Sequence, residues 1–118
     1  MSKINVKITL TTPETTIEKK YKAIFLTEEK EIIYQEDDKT KTKINLQKLR
    51  LERENETLWM EYLFNKQKPT KGTIKIKDLN QQLKLNIQTK KINQQNQNIE
   101  IEYQLENENY KYKLEVIK

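Results

Sequence analysis

The sequence predicts an all-β chain, closed into a single antiparallel barrel of eight to ten strands, and three observations carry this. Ile4, Val6, Ile8 and Leu10 alternate with Lys3, Asn5, Lys7 and Thr9, while Ile99, Ile101, Tyr103 and Leu105 alternate with Asn98, Glu100, Glu102 and Gln104. A period of two puts one set of side chains on a dry face and the other on a wet face. The alternation recurs between short polar breaks, with no stretch that reads as a substantial helix. Closure is the natural way for such a meander to remove its edges.

In chain order, Lys3–Leu10 is the first strand and Thr11-Thr12-Pro13-Glu14 turns it. Ile17–Leu26 is a second strand with a ragged pattern, because Ile24 and Phe25 are both apolar; Glu28-Glu29-Lys30 breaks it. Ile32, Tyr34 and Glu36 share a face of the third strand, which ends at Asp37-Asp38-Lys39. Thr40, Thr42, Ile44 and Leu46 line the fourth, and a tight reversal at Gln47-Lys48 leads to Leu49, Leu51 and Arg53. That dipeptide lacks the Asn-Gly chemistry of two-residue hairpins, which points to a looser turn. Leu49 to Phe64 is rich in helix formers. Leu58, Met60, Tyr62 and Phe64 nevertheless fit a strand face, and the neighbouring strands would otherwise leave an open edge. After the polar loop 65–71, Gly72, Ile74 and Ile76 resume the sheet, and Leu83, Leu85 and Ile87 follow a turn at 78–81. Lys90–Asn98 reads as a low-complexity loop. The strand to Leu105, a turn at 106–109 and Tyr110, Tyr112, Leu114 and Val116 complete the chain.

At 118 residues the chain is read as one domain, residues 1–118, with a modest core. The mean hydropathy of −1.02 is that of many disordered chains, but the apolar residues are periodic, which disorder does not require. Without cysteine there is no disulfide framework or thiolate site. No apolar run approaches a membrane span. The N-terminus leads directly into a strand instead of a secretory signal, so the expected location is cytoplasmic. The abundance of Lys, Asn and Ile has the flavour of a low-GC coding sequence, so part of the net charge of +5 reflects codon usage; Arg50, Arg53, Trp59 and Gly72 stand out against it.

Several stretches together resemble a known family: Tyr34-x-Glu36, a Lys/Thr strand, Leu-x-Leu-x-Arg ending at Arg53, Met60 to Phe64, Leu83-x-Leu85 with Thr89, and Ile99-x-Ile101-x-Tyr103-x-Leu105. This order is similar to that of the YwiB-like bacterial proteins, small calycin-type (lipocalin-like) β-barrels of uncharacterised function. The resemblance spans nearly the whole chain. It departs at two turns, where Glu54-Asn55 and Asn80-Gln81 replace the family's glycines. Asn tolerates positive φ better than most residues.

Strand parity places Tyr34, Glu36, Arg53 and Tyr103 inside. A guanidinium in a dry cavity can hold a carboxylate or phosphate while apolar walls hold a tail; such lipid-binding logic is what the calycin resemblance implies. Equally, Arg53 and Glu36 can form a structural ion pair in an interior filled by its own side chains. On the outside, Trp59 and Leu63 share a face and would form an apolar patch for a protein partner or homodimer. Eight lysines stand against Asp78 alone between 66 and 91; Lys75, Lys77 and Lys84 face solvent and would attract an acidic polymer. That band lacks aromatic residues and arginine, which disfavours nucleic acid. The six tyrosines are read as core and rim packing.

With no histidine, the commonest general base and zinc ligand is missing. Asp37-Asp38 beside Glu36 is read as a charged turn, not a metal site. The expectation is therefore a non-enzymatic bacterial protein without cofactor or metal, binding a small amphipathic or anionic ligand through Arg53, Glu36, Tyr34 and Tyr103. The alternative is a surface interaction module. The ligand expectation requires a cavity of about 300 Å³ or more.

Overall fold

Ten strands form in the computed structural model, which describes residues 1–117; the final position of the 1–118 domain, Lys118, lies outside it. They are β1 (Ser2–Thr11), β2 (Thr16–Leu26), β3 (Glu31–Gln35), β4 (Lys41–Asn45), β5 (Arg50–Glu54), β6 (Leu58–Leu63), β7 (Thr70–Ile76), β8 (Gln81–Gln95), β9 (Asn98–Leu105) and β10 (Glu108–Ile117). Each pairs antiparallel with its sequence neighbours, and β1 pairs with β10, for example Val6 with Val116 and Ile8 with Leu114. The result is a closed up-and-down barrel. The segment with helical composition forms β5 and β6, as closure demands: Leu51 opposes Tyr62 and Arg53 opposes Met60.

Because the strands simply go up and down, all odd-to-even turns lie at one end of the barrel and all even-to-odd turns at the other. At the second end, Ile32, Ile44, Ile99 and Leu114 are fully buried, each contributing roughly 1.5–3 kcal/mol of hydrophobic stabilisation. Phe64 and Leu46 are buried there too, and Gln94 Nε2 donates to the Leu46 carbonyl at 2.8 Å. That end is closed.

One local expectation is corrected, and another takes a definite form. Lys90–Asn98 is not a loop: β8 continues to Gln95, and only Asn96-Gln97 turns the chain. The register slips between Thr89 and Lys91, so one extra residue shifts the inward parity from odd to even and makes Ile92 the next inward position. The predicted Gln47-Lys48 reversal is a four-residue turn, Leu46–Leu49, with Leu49 at φ 55°. The Asn45 side-chain carbonyl accepts from the backbone N–H groups of Gln47 and Lys48 at 3.0 and 2.7 Å. At the two turns that depart from the resemblance, Asn80 takes positive φ (49°), whereas Asn55 acts through its side chain, accepting from the N–H groups of Thr57 and Leu58 at 2.9 Å each.

Candidate functional site: a tyrosine-lined lumen

Between the closed end and the odd-to-even turns lies a cavity of about 420 Å³. Tyr34, Glu36, Arg53 and Tyr103 all line it, so the structure brings the four predicted interior residues together. Glu36 follows β3, Arg53 sits on β5, and Thr42 on the intervening β4 opposes Arg53. Arg53 grips Glu36 with two N–H groups: Nε donates to Oε2 at 2.7 Å and a terminal nitrogen to Oε1 at 3.3 Å. Thr42 Oγ1 donates to the same Oε2 at 2.6 Å. These bonds raise the Arg53 pKa further, so the guanidinium stays charged. Arg53 is thus committed to a carboxylate, and the pair adds no net charge to the lumen. Its side chains are 39% and 22% exposed, which places the pair toward the open end.

All six tyrosines of the chain, at 21, 34, 62, 103, 110 and 112, line this one cavity. Tyr34 and Tyr112, both buried, hydrogen-bond through their hydroxyls at 2.9 Å. Tyr21 stacks on Tyr34 with centroids 5.1 Å apart, and Tyr103 on Tyr110 at 5.7 Å. Tyr62 meets Tyr103 edge-on, and Phe64 packs beneath Tyr103 at 5.0 Å, forming the floor. Burial raises the pKa of Tyr34, Tyr103 and Tyr112 well above the ordinary phenol value and also raises that of Tyr62, so these hydroxyls remain protonated donors. Tyr103 is a buried residue whose hydroxyl, open to the lumen, has no hydrogen-bond partner among the described residues, as is also true of Tyr21, Tyr62 and Tyr110.

Besides the tyrosines read as core and rim packing, two lining residues at the mouth are ones the sequence does not single out. Ile17 and Lys19 lie on the inward face of β2 beside the mouth, opposite Leu10 and Ile8. Their parity with Tyr21 was legible, but a lysine on an inward face reads as an interruption of the pattern. Ile17 is exposed at 47% and Lys19 is also exposed.

The outer candidates are arranged differently. Trp59 is half-buried and its indole N–H donates to Glu52 at 2.8 Å; Leu63 is exposed, with Glu61 between the two on the same face. Lys77 pairs with Glu54 at 2.7 Å and Lys84 bonds the Thr73 hydroxyl at 2.8 Å, while Lys75 has no ion-pair partner among the described residues. Asp37 folds its own turn: its carboxylate accepts from the N–H groups of Lys39 and Thr40 at 2.8 Å each, which holds its pKa below the usual carboxylate range.

Fold and site together define a small closed up-and-down β-barrel with one sealed end and an aromatic lumen open at the other. Among solved structures, the crystal structure of the YwiB protein from Bacillus subtilis is similar, with a TM-score of 0.65 over 98% of this chain and 91% of that one, at 17% identity. At that identity the likeness concerns the fold. No protein-family model matches the chain, and neither does any curated protein.

Proposed function

We propose that this barrel is a non-catalytic binding protein of the YwiB-like, calycin type, cytoplasmic, holding a small amphipathic ligand in its lumen. The carrying observation is the 420 Å³ cavity, which exceeds the expected minimum and combines apolar walls with a few converging polar groups. Leu10, Leu51, Met60 and Leu105 supply apolar surface, and the Arg53–Glu36 pair and the tyrosine hydroxyls supply direction. An unpaired buried charge would be costly; the neutral pair is a polar anchor without that cost. The outer faces carry charge pairs such as Lys7–Glu115 and Lys111–Glu100 in place of a bilayer-facing apolar band. Among the described residues no helix is long and apolar enough to cross a membrane.

Native mass spectrometry of the purified protein is the test. A small co-purifying mass is expected, and Arg53→Met should lose it while its thermal transition stays cooperative. A clean dimer, or a monomer that takes up no small molecule, would favour the surface module through Trp59 and Leu63 or the lysine band instead.

A further inference from the structure

The charge of this molecule is sorted by barrel end. Apart from Glu36, which is paired with Arg53, the five turns around the mouth, 12–15, 36–40, 55–57, 77–80 and 106–107, carry six carboxylates and two lysines. Both lysines are ion-paired, Lys39 to Glu56 at 3.4 Å and Lys77 to Glu54 at 2.7 Å. Glu14, Asp37, Asp38, Asp78 and Glu106 have no ion-pair partner among the described residues. The turns of the closed end carry a net +2. In a protein of net charge +5 the mouth is therefore an acidic ring, which repels anions approaching it. Inside, the Arg53 charge is cancelled by Glu36, leaving exposed Lys19 as the one lining cation without an ion-pair partner among the described residues.

The walls specify the rest. Six tyrosines present ring faces and hydroxyls; among the described residues the hydroxyls of Tyr21, Tyr62, Tyr103 and Tyr110 have no hydrogen-bond partner, and that of Tyr103, the most buried of these four residues at 4% exposure, lines the cavity. A saturated chain would leave that hydroxyl facing hydrocarbon, which is unfavourable. A flat ring with its own polar substituent would stack on the tyrosine faces and pair the hydroxyl. The floor, Tyr62 and Tyr103 backed by Phe64, limits depth and favours a compact body over a long one.

Resting on the reading of the lumen as a ligand site, we infer that its ligand is a compact aromatic molecule without negative charge, its ring among the tyrosines and a polar substituent on the Tyr103 hydroxyl. Isothermal titration calorimetry with 2-naphthol, 2-naphthoate and 1-decanol tests this. 2-Naphthol is expected to bind at least about tenfold more tightly than either other probe. Tyr103→Phe should weaken 2-naphthol by about tenfold and tighten 1-decanol, because the hydroxyl that a saturated chain leaves unpaired is gone. Tighter binding of 1-decanol or of 2-naphthoate than of 2-naphthol to the unsubstituted protein would overturn the ligand class while leaving the lumen as a binding site. Binding of none of the three, with a protein that carries no co-purifying mass, would overturn the lumen reading itself.

Discussion

Gly72 is the single glycine of the chain, and no turn uses it. It lies on β7 opposite Tyr62 of β6, where an added Cβ would sit 2.8 Å from the Tyr62 ring and 3.1 Å from Ile87 Cδ1. The missing side chain is what lets Tyr62 lie against the wall instead of filling the lumen. Gly72→Ala is expected to destabilise the barrel by about 1–3 kcal/mol through overpacking, read as a lower thermal midpoint, and to reduce probe binding by pushing Tyr62 inward. An unchanged midpoint with unchanged binding would mean that the contact does not hold the ring in place. The inward set of Tyr34, Glu36, Arg53 and Tyr103 was legible from parity alone. That all six tyrosines line one cavity was not, because height inside a barrel depends on register between strands far apart in sequence, such as β6 and β9.

Strands and turns repeat the contrast. Period-two patterning made β1, β9 and β10 plain, and the demand for closed edges decided β5 and β6 against their helix propensity. The far half of β8 does not show in the pattern, because its bulge makes Thr89 and Ile92, three apart, consecutive inward residues, which no regular alternation describes. Turn geometry was the least legible, since glycine, the usual marker of positive φ, is missing from the turns; Lys30, Leu49, Asn80, Asn96, Glu106 and Asn107 take that conformation instead. Glu106-Asn107, with φ 50° and 73°, joins β9 to β10 as a two-residue loop of the I′ kind. Lys30, at φ 57°, is exposed, and its carbonyl alone serves the structure, accepting from the Leu46 N–H at 2.8 Å. A left-handed non-glycine residue costs roughly 1 kcal/mol. Lys30→Gly is therefore expected to stabilise the protein by up to about 1 kcal/mol, a rise of roughly 4 °C in a thermal melt. A fall would show that the lysine side chain contributes more than the backbone strain removes.

For the whole barrel, the concentration of phenols in one lumen couples folding to alkaline pH. Tyr34, Tyr103 and Tyr112 have their pKa raised above the ordinary value of 10.0, in each case first by desolvation, and for Tyr112 also by its neighbour Tyr34. A raised folded-state pKa means that the native protein holds these protons where the unfolded chain releases them. Their contribution is fully present below about pH 10 and is lost as pH climbs from there through the folded-state values. Three such groups make the loss steep, since unfolding above that pH releases three protons together. Circular dichroism followed alongside tyrosinate absorbance is expected to show the buried fraction ionising together with the loss of strand signal. Tyr34→Phe should shift that transition to higher pH, because one ionisable proton leaves the lumen. Full tyrosinate absorbance in a chain that keeps its strand signal would show instead that water reaches the floor of the lumen and that its walls are not dry.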